Sequence, residues 1–101
     1  MSGVPNPFRY QYETIAASQT AQVLGGTGAT GDYVHKLIVN VTTAATSTVT
    51  LIDGSTSIVI VPAATVVGVY SIAIEAISAT GAWKVTTAAG VSVMATGIFS
   101  A

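Results

Sequence analysis

The sequence predicts an all-β fold, a β-sandwich or jelly-roll-like antiparallel domain with a short N-terminal arm, and three observations carry that expectation. Apolar and polar residues alternate with a period of two along most of the chain, the repeat of a strand with one buried face. Val, Ile and Thr dominate, and their branched side chains suit a pleated surface. Turn signals punctuate the alternation at the spacing of a sandwich or barrel, which gives about seven or eight short strands. No segment carries an apolar stripe at helical spacing.

Taken in order, residues 8 to 13 set Phe8, Tyr10 and Tyr12 against Arg9, Gln11 and Glu13. Pro5 and Pro7 keep the preceding stretch from starting as a regular strand or helix. Residues 1 to 17 therefore read either as an arm that docks on a neighbouring subunit or as an edge strand whose aromatics cover the sandwich. Phe8, Arg9, Tyr10 and Tyr12 are the candidate partner-binding residues. Residues 18 to 101 form the single sandwich domain. Residues 33 to 42 predict a strand with Tyr33, His35, Leu37, Val39 and Val41 on one face and Lys36, Asn40 and Thr42 among those opposite. Residues 47 to 52 and 57 to 61 predict a hairpin around Asp53-Gly54, a strong two-residue turn signal. Tyr70, Ile72 and Ile74 alternate with Ser71, Ala73 and Glu75; a Thr80-Gly81 turn then leads to Trp83 and Val85. The last strand sets Val91, Val93, Ala95 and Phe99 against Ser92, Met94, Thr96 and Ser100.

Length and charge bound the function. A chain of 101 residues supports one core that hides roughly two-thirds of the unfolded surface, and excludes a second. Half of the residues are apolar and only 7% are charged, where a soluble domain carries roughly a quarter. Arg9, Glu13, Asp32, Lys36, Asp53, Glu75 and Lys84 form neither a basic stripe for phosphates nor an acidic tail, so nucleic acid is not an expected partner. Without cysteine there is no disulfide framework and no thiolate chemistry. The opening MSGVPNPFRYQYE shows no secretory pattern. Residues 58 to 76 match a membrane span in length and apolarity. Pro62, Gly68 and Glu75, with no Lys or Arg near either end, favour two strands joined by a turn instead.

Two motifs bear on chemistry. In GGTGATGD, residues 25 to 32, Gly26, Gly28 and Gly31 fit the dinucleotide-binding spacing and Asp53 follows about 20 residues on. That fingerprint needs its glycine turn to open a helix, whereas YVHKLIVNVT continues with period two. The expectation is a glycine-rich loop with positive φ and Asp32 capping the turn, and no cofactor. His35 is the only histidine, expected on the apolar side of its strand with a structural role. The four carboxylates include no adjacent pair, so neither a catalytic nor a metal site is expected. Trp83 reads as a core anchor. A carbohydrate-binding tip would instead use Trp83 or Tyr70 in exposed loops.

The order QVLGGTGATGDYVHKLIV, an apolar strand, a DGS turn, a long Val/Ile strand and TGAWKVTTAAGVSVMATG resembles small β-rich virion proteins of tailed bacteriophages. The resemblance covers roughly residues 20 to 100. Its sharpest parts are Gly28-Ala29-Thr30-Gly31-Asp32-Tyr33 and Gly81-Ala82-Trp83-Lys84-Val85-Thr86-Thr87, and the segment before residue 18 lies outside it. It implies a capsid decoration (cement) protein, or a head- or tail-fibre subunit with a receptor- or carbohydrate-binding role. It further implies a homotrimer with a sandwich or jelly-roll body, without catalytic residues or cofactor. The implied partners are the major capsid protein or other virion subunits. The implied location is the capsid exterior, after assembly in the host cytoplasm. A shortage of charge fits burial against copies of itself or a shell.

Overall fold

A computed structural model describes residues 10–45 and 47–101. Alternation builds eight strands in it: β1 (Gln11–Ile15), β2 (Gln22–Val23), β3 (Tyr33–Val41), β4 (Val49–Asp53), β5 (Thr56–Val61), β6 (Gly68–Ile77), β7 (Trp83–Thr86) and β8 (Val91–Ile98). The fold is an all-β sandwich of two four-stranded antiparallel sheets, ordered β1-β8-β3-β6 and β2-β7-β4-β5. The pairs β1·β8, β2·β7, β3·β6 and β4·β5 are nested. The chain thus behaves as one long hairpin whose successive rungs fall in alternate sheets, closed at its tip by the Asp53-Gly54 turn, where Gly54 takes φ 59°.

The inward faces form a single core. Leu37, Val39 and Val41 of β3 and Val91, Val93 and Ala95 of β8 face Val49, Leu51, Trp83 and Val85 of the other sheet, with Ile15 and Leu24 closing one side. Each fully buried Leu or Val contributes roughly 1.5–3 kcal/mol of transfer free energy. Trp83 is 3% exposed and its Nε1 donates to the Asp32 carbonyl at 2.8 Å. The indole is therefore a core anchor whose one polar atom is satisfied. It offers no face to a sugar.

The predicted face of His35 is corrected by a β-bulge. Toward β8, Val34 pairs with Gly97 and Lys36 with Thr96, which leaves His35 without an opposite residue. Toward β6, Val34 pairs with Ala76 and Lys36 with Ala73, so Ile74 and Glu75 both lie across from His35. One extra residue reverses the in/out sequence of a strand. Val34 and Leu37 consequently both point inward, while Tyr33 pairs with the exposed Ile77 and Ile98 on the outer face. His35 joins that outer face instead of the apolar one.

Of the aromatic segment, Tyr10 and Tyr12 are described; Phe8 and Arg9 lie outside the described residues. Residues 11 to 15 form an edge strand continuous with the sandwich. The apolar stretch from 58 to 76 is divided between β5, a loop and β6. No helix among the described residues is long and apolar enough to cross a membrane.

Candidate functional site

Among the described residues, the outer face of the β1-β8-β3-β6 sheet gathers three aromatic rings in mutual contact. Tyr10, just before β1, stacks on His35 with ring centroids 4.5 Å apart and planes at 21°. Tyr33 is tilted against both, at 5.8 Å from Tyr10 and 6.2 Å from His35. Its hydroxyl lies 3.3 Å from His35 Nδ1, within hydrogen-bond reach, and donates when that nitrogen is unprotonated. Partial burial, followed by the neighbouring Tyr10 and the Glu75 carboxylate, pushes the Tyr33 phenol above its ordinary value. The phenol therefore stays a neutral donor at physiological pH.

The bulge creates this arrangement. It turns His35 outward beside Tyr33, and on β6 it leaves Glu75 with φ 53°, a left-handed conformation in a residue other than glycine. Such backbone costs of order 1–3 kcal/mol and persists only where its surroundings hold it. Around the cluster, Tyr12 is 71% exposed and shares a cross-strand row with Thr96, Lys36 and Ala73. Ile77 and Ile98 flank Tyr33 on either side. Among the described residues, the result is an aromatic and aliphatic patch with one cation, Lys36, and one anion, Glu75. Aromatic side chains that carry a polar tip are what anchors a protein contact.

The remaining carboxylates tie loops together. Asp32 Oδ2 accepts from the backbone of Ala29 at 3.0 Å and Ser100 at 2.9 Å, and Oδ1 accepts from the Ser100 hydroxyl at 2.7 Å. Asp53 accepts from the amides of Ala79, Thr80 and Gly81 at 2.8, 3.0 and 3.2 Å. Those donors, Ala79 foremost, hold its carboxyl below the usual carboxylate range. Glu13 accepts from the Gly25 amide at 2.7 Å and from Gln22 Nε2 at 2.9 Å, sealing β1 to β2. No group of three or more His, Asp or Glu side chains among the described residues is placed to hold a metal ion.

The glycine motif is a clasp. Its loop leads into strand β3, so no helix N-terminus stands behind it to receive a phosphate. The Thr27 and Gly28 amides donate to the Ser100 carbonyl, and the Thr27 hydroxyl donates to the Ala101 carbonyl at 3.0 Å. Gly25 has φ 88°, and a Cβ there would land on the Ser100 carbonyl oxygen. Glycine is required at that position by close approach and by backbone conformation together.

Sequence reasoning named Tyr10 and Tyr12 and missed Tyr33, His35 and Glu75 as their neighbours. The available signal was the odd spacing between the inward residues Val34 and Leu37, which a regular strand cannot produce. In comparisons with known proteins, the chain matches no protein family, no curated protein and no solved structure.

Proposed function

We propose that this chain is a non-enzymatic virion protein of a tailed bacteriophage, a capsid decoration protein that binds the exterior of the assembled shell as a homotrimer. The single observation that carries the reading is the exposed aromatic patch of Tyr10, Tyr12, Tyr33 and His35 beside the start of the chain, on a body with only 7% charged residues. Such a face is suited to burial against another protein and poorly suited to bulk water. The strand order supports it. Eight strands nested as one folded hairpin across two sheets read as a jelly roll, an architecture shared by viral capsid and lectin domains. Fold alone does not assign function, so the patch carries the argument. The partner is the major capsid protein, reached by the patch together with Phe8 and Arg9.

The experiment is co-sedimentation of the purified protein with assembled capsids of the phage that encodes it. Removal of residues 1–9 leaves β1 and the Glu13 contacts in place, which a longer truncation would not. Full-length protein is expected to co-sediment at a fixed copy number per capsid. Tyr12→Ala is expected to weaken binding about 10- to 100-fold, the usual cost of losing an anchor aromatic. Normal binding by both Tyr12→Ala and the protein lacking residues 1–9 would overturn the assignment of this face. Saturable glycan binding without capsid binding would favour the fibre-tip reading instead.

A further inference from the structure

The two sides of the sandwich are finished differently. On the β1–β2 side, Glu13 and Gln22 bridge the edges by hydrogen bonds, and Thr87 joins Ala16 and Gln19. On the β5–β6 side, both strands end their sheets and a groove of about 480 Å³ separates them. Ile60, Pro62, Val69 and Ile72 line it. Beside the groove, Val66 and Val67 are 68% and 62% exposed. They are not frayed ends. The Tyr70 hydroxyl donates to the Val66 carbonyl at 2.9 Å, Thr65 donates to the Pro62 carbonyl at 2.7 Å, and Ala45 donates its amide to the Thr65 carbonyl and accepts from the Ala64 amide. The fold thus fixes an apolar knob next to an apolar groove on one face.

We infer that this face joins copies of the chain, the Val66-Val67 knob of one copy entering the β5–β6 groove of the next. The inference deepens the oligomeric part of the reading above by assigning it to a surface distinct from the aromatic patch. Charge argues that the occupant is a second copy. No Asp, Glu, Lys, Arg or His occurs from residue 54 to residue 74. Complementary charge is what would recognise a different partner, and this strip carries none, whereas a face that holds both a knob and a groove is complementary to a second copy of itself. Exposed sheet edges normally carry guarding lysines, and these two carry none. Area agrees. Strand β6 has 10 residues and spans about 33 Å at ~3.3 Å per residue. With the molecule's smallest extent of 19 Å, the face has an outline of about 630 Å², within reach of the roughly 800 Å² each subunit gives to a stable interface. Knob and groove are different elements, so the contact is head-to-tail, and copies that close on themselves form a ring.

Sedimentation velocity of the full chain from 1 to 100 µM, without capsids, tests this. The expected result is a ring-sized oligomer for the wild type and a species shifted to monomer, by about 100-fold or more in association constant, for Val67→Asp, which would bury an unpaired charge. Far-UV circular dichroism and Tm of the Val67→Asp monomer identify it as folded. Val67→Ser, which removes the knob without adding charge, is expected to weaken association in the same direction. Tyr12→Ala is expected to oligomerise normally, and a wild type that forms the oligomer yet does not bind capsids marks failure of the functional reading alone. A wild type that stays monomeric at 100 µM, or a Val67→Asp protein that still oligomerises, would overturn the inference. So would oligomers lost on removing residues 1–9 alone, because that result makes the arm the occupant.

Discussion

Replacing Asp32 with alanine or with asparagine separates a loop clasp from a ligand cradle. The alanine variant removes three accepted hydrogen bonds, from the Ala29 amide, the Ser100 amide and the Ser100 hydroxyl. Hydrogen bonds to a charged group contribute about 1.5–3 kcal/mol each, and a stranded donor costs about 1–3 kcal/mol. Asp32 is 8% exposed, so water replaces only part of this, and a net loss of about 3 kcal/mol follows. For a domain of this size that lowers Tm by about 12–24 °C. Asparagine keeps one acceptor oxygen for the two amides, and the Ser100 hydroxyl turns to accept from its NH₂; the loss is then about 1 kcal/mol. Urea titration followed by fluorescence gives both values, since the one Trp of the chain, Trp83, donates to the carbonyl of the same Asp32. Equal stability of the two variants, or an alanine variant within about 0.5 kcal/mol of wild type, would refute the clasp.

Three further outcomes follow from the same contacts. Gly25→Ala is expected to cost roughly 2 kcal/mol or more, because φ 88° and the Ser100 carbonyl both oppose a Cβ there; thermal melts check it. The depressed carboxyl of Asp53 makes folding pH-dependent. Its contribution is present above the unfolded value of about 3.9 and is lost as pH falls through the lower folded value. Tm should therefore decline more steeply below about pH 4 in the wild type than in Asp53→Asn, which thermal scans from pH 7 to pH 2 measure. Trp83→Phe keeps the ring in the core but leaves the Asp32 carbonyl with the Ser78 amide as its remaining donor, and is expected to cost about 1–2 kcal/mol by urea titration.

Much of the sandwich was legible because a one-sided strand writes its burial into a period of two. The alternation of Val91, Val93 and Ala95, the Asp53-Gly54 turn and the buried Trp83 all match the structure. Strand β2 was not legible, since two residues carry no period. The His35 bulge was hidden because Tyr33 and Val34 are both apolar enough for either face; only the three-residue step from Val34 to Leu37 betrays the shift. The carboxylate contacts were hidden for a different reason. Glu13 reaches Gly25, Asp53 reaches Ala79 and Asp32 reaches Ser100, across separations that the nested strand order alone creates. The aromatic site was half visible for the same reasons. Tyr10 and Tyr12 stood out by composition, while their partners Tyr33 and His35 arrive through the bulge.

The proposed placement of this sandwich on a phage particle is the most direct test of the whole account, and a cryo-EM map of that particle measures it. The predicted result is eight-stranded density at fixed lattice positions outside the shell, with the Tyr10, Tyr12 and His35 face against the capsid protein and the β5–β6 edges meeting around a three-fold axis. A particle without this density, or one in which the aromatic face points to solvent while another surface holds the shell, would contradict it.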